Sequence, residues 1–250
     1  MIKLSERLLL MAACVAPGET LADIGTDHGL LPIFLYENKV CPKMILCDIA
    51  AGPLEKAKQN IAAYAPSFTP ELRQGDGLSA LQPAEVDTVV IAGMGGELIA
   101  DILAFDLAKT KSYRKFILQP RTAPEKLRKF LYRNDFTIQE EHLASERGRI
   151  CEVIVAVPSQ KANATMEEKE ARLTALDKTL AWEISPLLIK KKDPYLERFL
   201  NKKIDKELAI IKHIEENGRD VGYLKAERTK KRIKTLRLIL HKITKDSRKD

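Results

Sequence analysis

Short apolar runs recur along the first 160 residues of the chain, and each stops at a glycine, an aspartate or a proline. The apolar runs occupy residues 20–25, 44–48, 86–92 and 115–119, the mixed run Glu71-Leu72-Arg73-Gln74 falls in line with them, and segments of helical character lie between. Runs of that length bounded by turn residues read as buried strands, and their alternation with helices predicts βαβ units in a parallel sheet covered on both faces. Residues 136–143 and 150–157 break the alternation. Only Ala144-Ser145-Glu146-Arg147-Gly148-Arg149 lies between them, which predicts a hairpin closing the sheet with an antiparallel strand. Ahead of the first strand, Leu4, Leu8, Met11 and Val15 recur at helical spacing and predict an amphipathic helix with one buried face.

The pattern changes after Val157-Pro158-Ser159-Gln160. Thr165-Met166-Glu167-Glu168 has capping-box spacing and marks a helix start. Leu196, Leu200, Ile204, Leu208, Ile211 and Ile214 form one apolar stripe, and Ile233, Leu236, Leu240 and Ile243 form another. They predict two helices turning at Asn217-Gly218 and packing as an antiparallel coiled-coil hairpin. The expected organisation is therefore an α/β domain over residues 1–160 and an all-α domain over residues 161–250.

At 250 residues and 45% hydrophobic, the chain is ordinary for a globular protein, and disordered, collagen-like, mucin-like and disulfide-scaffold classes are excluded. The net charge of +7 is unevenly placed. Residues 1–160 hold 18 Lys+Arg against 20 Asp+Glu, a net of −2, whereas residues 161–250 hold 24 against 15, a net of +9. Lys190, Lys191, Lys192, Lys225, Arg228, Lys231 and Arg232 are the candidates for gripping nucleic-acid phosphates; the alternative is the solvated face of a coiled coil.

The cysteines at 14, 41, 47 and 151 show neither C-x-x-C spacing nor neighbouring His pairs, so no metal and no redox dithiol are expected, and a reduced, cytoplasmic setting fits. Lys3 and Arg7 followed by residues 8–14 superficially resemble a short signal sequence with a lipid-attachment cysteine. Glu6 interrupts that basic region, and the amphipathic face favours a helix of the folded domain. No other run reaches the ~18 apolar residues of a membrane span.

The first glycine segment, Asp23-Ile24-Gly25-Thr26-Asp27-His28-Gly29, follows a strand and opens a helix, as a nucleotide loop does. It lacks G-x-G-x-x-G, and Asp27 would repel a pyrophosphate. An adenosyl ligand bearing a sulfonium and no phosphates escapes that repulsion. Asp48 at the end of the next strand could accept hydrogen bonds from both ribose hydroxyls, and Asp76 could accept from an adenine amino group. Any one of them could be a turn or cap residue; three carboxylates with attendant glycines at successive strand ends point to a shared pocket.

The order D-I-G-T-D-H-G, C-D-I, G-D-G-L and I-A-G-M-G-G resembles the class I S-adenosylmethionine-dependent methyltransferases. With the L-S-x-R-L start, Leu118-Gln119-Pro120 and the helical tail, the chain is similar over nearly its whole length to the TrmK family, bacterial tRNA (adenine-22-N1)-methyltransferases. Asn commonly follows Gln-Pro in that family; here Arg121 stands there. The resemblance implies a Rossmann-like sheet, S-adenosyl-L-methionine as cofactor, tRNA as partner, and a monomer or weak dimer. It implies cofactor contacts from Arg7, Asp23, Gly25, Thr26, Gly29, Asp48, Ile49, Asp76, Gly77 and Gly93, and catalytic positions at Asp27, His28, Gly93 and Met94.

Amino-group methyltransferases of nucleic acids carry D/N-P-P-Y after the fourth strand, where this chain has Ala92-Gly93-Met94-Gly95. Without the acceptor and the stacking ring, an exocyclic amine is a poor target. A ring nitrogen such as adenine N1 has an in-plane lone pair and needs chiefly alignment. Asp27 could accept a hydrogen bond from the target's amino group or cap the following helix. His28 could be a general base or a hydrogen-bonded structural residue, and Arg7 could meet the methionine carboxylate or a phosphate, or be a solvated charge. The alternatives are methylation of another RNA site or of a protein, and a non-catalytic RNA-binding scaffold.

Overall fold

The computed structural model describes residues 2–159, 165–177, 180–217 and 222–246. The chain divides into two compact units, residues 1–175 and 176–250. In the first, α1 (Glu6–Ala13) precedes β1 (Leu21–Ile24), α2 (Leu30–Glu37), β2 (Met44–Asp48), α3 (Ala51–Tyr64), β3 (Glu71–Gln74) and a 3-10 turn at Gly77–Ala80. The second half holds β4 (Thr88–Gly95), α4 (Gly96–Ala104), α5 (Leu107–Thr110), β5 (Lys115–Thr122), α6 (Pro124–Arg133), β6 (Phe136–Glu146) and β7 (Arg149–Pro158). Helix α7 (Met166–Asp177) follows.

The seven strands lie in the order β3-β2-β1-β4-β5-β7-β6. Pairing from β3 through β5 is parallel, and β7 runs antiparallel to both β5 and β6. The continuous apolar runs follow from burial of both faces. Val89 and Ile91 join the cluster beneath α4 and α6, with Ile99, Leu103, Leu127 and Leu131, while Val90 between them joins the opposite cluster with Met11 of α1, Leu35 of α2 and Ile61 of α3. Leu4, Met11 and Val15 are buried, so the N-terminal amphipathic pattern is a packed helix face, and Ser5 caps α1 by accepting from the Leu8 N–H.

The hairpin is longer than the sequence pattern suggests. Both strands continue until only Arg147-Gly148 is left to turn, and both residues have positive φ, +46° and +79°. Beneath it, buried Arg128 of α6 lies between Glu141 of β6 and Glu152 of β7.

The boundary between units falls after the one expected at residue 160, because α7 packs onto the sheet unit. Thr165 and Glu168 form the anticipated capping box, with reciprocal bonds of 2.8 and 3.2 Å. Lys169 then reaches Asp135 at 2.6 Å, Glu170 pairs with Arg133 at 2.7 Å, and Leu173 is buried.

The second unit contains α8 (Pro186–Lys191), α9 (Leu196–Asn217) and α10 (Gly222–Asp246). Leu196, Leu200, Ile204, Ile233 and Leu236 are buried, as the two stripes predict, but Leu208 is 41% exposed. Leu196 near the start of α9 lines a cavity with Ile243 near the end of α10, so the two helices run in opposite directions. The expected turn at Gly218 lies outside the described residues.

Candidate active site

The chain leaves β1 toward β2 and β3 on one side and returns through β4 to β5 on the other. The strand order therefore reverses between β1 and β4, and a crevice opens at their carboxyl ends, where open α/β sheets bind ligands. Gly25 and Thr26 line it from β1; both N–H groups donate to the Cys47 carbonyl, at 2.8 and 3.0 Å. Gly25 has φ +74°, and a Cβ there would lie 2.4 Å from the Met94 methyl. Only glycine allows both that backbone and that contact. Met94 thereby closes the β4 segment over the β1 turn.

The three carboxylates fall at neighbouring strand ends. Asp23 is buried and accepts from the Thr26 hydroxyl at 2.7 Å. Burial pushes its pKa up to about 6; the Thr26 hydrogen bond opposes the shift, Asp48 adds to it and Arg7 opposes it. Asp48 accepts from the Ala50 N–H at 3.0 Å, and its carbonyl accepts from Gly75 at 3.0 Å, which draws the β3 end toward β2. Asp76 is exposed and precedes the 3-10 turn, while Ile49 beside Asp48 is 64% exposed. Gly77 and Gly29 serve packing. A Cβ at the first would meet Ile102 at 2.8 Å, and at the second Ala57 at 3.1 Å.

Asp27 does not cap α2. The helix begins at Leu30 with Gly29 at the N-cap position and no side-chain capping bond. Asp27 is instead an exposed residue with φ +48°, 3.4 Å from the exposed His28 ring. A left-handed non-glycine residue costs free energy that a buried or capping contact commonly offsets, and neither is made here.

On the other wall, β4 bulges at Gly93, with φ +77°, as its pairing with β5 shifts register. The Gly93 N–H donates to Oε1 of buried Gln119 at 3.2 Å, and Arg7 Nη1 donates to the same oxygen at 3.1 Å. Arg7 Nε donates to Glu146 at 2.9 Å. Arg7 is thus an internal strut from α1 to the bulge and not a solvated charge. Gln119 and Glu146 were not among the sequence candidates; the available signal was a glutamine between an apolar run and a proline.

In the helical unit, Lys190, Lys191, Lys192, Lys225, Arg228 and Lys231 are exposed. Arg232 departs from the expectation. Its guanidinium donates to both Glu183 oxygens at 2.8 Å and to Glu207 at 2.9 Å, so its charge is spent inside the unit. Among the described residues no cluster of three or more His, Cys, Asp or Glu could hold a metal, and no helix is long and apolar enough to cross a membrane.

A family model described as "Methyltransferase domain" matches residues 4–154. The tRNA (adenine(22)-N(1))-methyltransferase of Bacillus subtilis (strain 168) is 32% identical over 192 residues, which is 77% of this chain and 77% of that protein. The chain belongs to this tRNA (adenine(22)-N(1))-methyltransferase family. The crystal structure of the B. subtilis m1A22 tRNA methyltransferase TrmK superposes with TM-score 0.78 at 28% identity, covering 96% of this chain and 100% of that one. A Streptococcus pneumoniae protein solved in complex with S-adenosyl-L-methionine matches with the same score, identity and coverage. At the carboxyl end of β4, Gly93, Met94 and Gly95 offer no side-chain acceptor to an exocyclic amine.

Proposed function

We propose that this protein transfers a methyl group from S-adenosyl-L-methionine to N1 of the adenine at position 22 of tRNA. The observation that carries the reading is the crevice itself. The Met94 methyl packs against the bare Gly25 turn, carboxylates stand at three adjacent strand ends, and exposed Ile49 offers an apolar surface to a flat base. These residues fit the cofactor. Asp48 and Asp76 would hold its ribose and adenine, and the acidic surroundings of Asp23 suit its cationic groups. The bound cofactor supplies a sulfonium methyl; the new N–CH3 bond forms as the C–S bond breaks, the sulfur keeping the electron pair.

The chain's own part is positioning. The Gln119 and Arg7 bonds fix the bulged Gly93 segment, so backbone without side chains faces the incoming base. Asp27 accepts from the adenine N6 amino group, which orients N1 and raises its electron density, and the carboxylate also favours the positive charge that the methylated ring acquires. The exposed basic residues of α8 and α10 hold the tRNA backbone, the target base being turned out of its stack. We place the enzyme in the cytoplasm as a monomer or weak dimer. The test is methyl transfer from labelled cofactor to tRNA followed by mapping of the modified nucleotide. Asp27→Asn is expected to lower kcat at least tenfold with cofactor affinity unchanged; full activity in that variant rejects the role given to Asp27.

A further inference from the structure

The sheet unit contains nine arginines. Arg7, Arg73, Arg114, Arg128 and Arg133 are paired with carboxylates, and Arg172 lies over the Tyr132 ring. Arg121, Arg147 and Arg149 are exposed, and none of them makes an ion pair among the described residues. All three stand at one place. Arg121 is at the carboxyl end of β5, and the Arg147-Gly148 turn with Arg149 projects from the same edge. Running the β5–β7 register on from Leu118 opposite Ile154 brings Arg121 level with Cys151. Consistent with this, burial raises the Cys151 thiol pKa while Arg7, Arg121 and Arg149 all oppose the shift.

We propose that Arg121, Arg147 and Arg149 form a phosphate-binding patch that holds the RNA strand next to the target base. The patch begins with Arg121 on β5, the strand next to β4, and extends to Arg149 on β7, two strands from β4, roughly 5 to 10 Å at the usual strand spacing. It is also tied to the site by a chain of hydrogen bonds: Glu146, next to the turn, binds Arg7, Arg7 binds Gln119, and Gln119 binds the Gly93 N–H. Glu6 of α1 adds a second tether through the Ser145 N–H. Arg147 occupies a left-handed position that glycine or asparagine fills at lower cost, and it makes no ion pair among the described residues in return. Guanidinium groups are suited to phosphate oxygens by their forked donors.

This inference rests on the proposed action on tRNA, and tRNA binding is measured separately from methylation. In the full chain, R121Q/R147Q/R149Q is expected to weaken tRNA binding at least tenfold. It should also lower the slope of log Kd against log salt by about 2 to 3, near one per lost contact. S-adenosylmethionine affinity should stay within twofold. The lysine triple variant should keep most of the slope. R147G should raise Tm by relieving the left-handed residue, yet weaken tRNA severalfold. Unchanged tRNA affinity and slope in the glutamine variant, or a stabilised R147G that binds tRNA like the parent, overturns the patch. A parent chain that binds tRNA through these arginines but methylates no adenine overturns the proposed reaction and leaves the patch standing.

Discussion

The sheet unit and the helical unit differ in what they do with their basic side chains. In the sheet unit, arginine is chiefly a building material: Arg128 joins two strands from within, Arg73 ties β3 to Glu85, and Arg7 braces the Gly93 bulge. In the helical unit Lys225, Arg228 and Lys231 stay exposed along α10, and Arg232 alone of that run carries pairs with Glu183 and Glu207. Net charge hides this difference. The sheet unit's sequence leans acidic, yet it presents three unpaired arginines beside the crevice, and the basic tail contains one residue that presents nothing. What a surface offers to phosphates is decided by which charges remain after internal pairing.

The comparison is broken most severely at Arg128. Its side chain is 3% exposed, and its removal strands Glu141 and Glu152 in the interior. Arg128→Ala is expected to cost about 3–5 kcal/mol in chemical unfolding, because an uncompensated buried charge is left behind. Arg128→Met with Glu141→Gln and Glu152→Gln should recover a large part of that loss. A cost below about 1 kcal/mol for the single variant would show that water reaches the three groups.

Asp23 comes next. Its folded pKa of about 6 lies above the ordinary 3.8, so the folded protein binds this proton more tightly than the unfolded chain. Its effect is therefore absent below about pH 4, grows as a penalty up to about pH 6, and is constant above. The penalty amounts to up to about 3 kcal/mol. Asp23→Asn should gain stability over the parent across that window and keep the gain at pH 8. If Asp23 faces the cofactor's cationic groups as proposed, cofactor affinity should fall in the parent as pH drops through 6, because protonation removes that charge. A parallel pair of stability curves for parent and variant from pH 4 to 8 contradicts the assignment.

These residues also show where sequence was sufficient. Strand ends follow from the alternation of apolar runs and helices, so the sequence alone places Gly25, Asp48 and Gly93 at one edge. It leaves the pairings open. Arg7 meets Gln119 and Glu146 across 112 and 139 residues, and no local pattern records such a choice. The full length of the hairpin escapes the sequence pattern for a related reason: polar residues on a sheet edge look like loop, and only the two-residue Arg147-Gly148 turn separates the strands. Asp27 could have been a cap by spacing alone, but its left-handed backbone places the helix start three residues later. The domain boundary moved because Lys169 and Glu170 pair with residues of the α6–β6 junction.

The smallest expected effect bears most directly on the contrast between the units. If Arg232 is spent on Glu183 and Glu207, Arg232→Ala should reduce the stability of the full chain by about 1 kcal/mol, a modest value because the side chain is 35% exposed. Glu183 is held below the ordinary carboxylate range chiefly by its hydrogen bond to Arg232. The pair therefore stabilises above the usual carboxylate pKa, and that share is lost as pH falls through the lowered one. The variant's deficit should accordingly shrink on acidification. In tRNA binding, Arg232→Ala should leave the salt slope unchanged, whereas Arg228→Ala with Lys231→Ala should lower it by nearly one per residue. Were Arg232→Ala to lower the slope as its neighbours do while Tm stayed fixed, its pairs would have to open on binding, and internal pairing would no longer separate structural charge from charge offered to RNA.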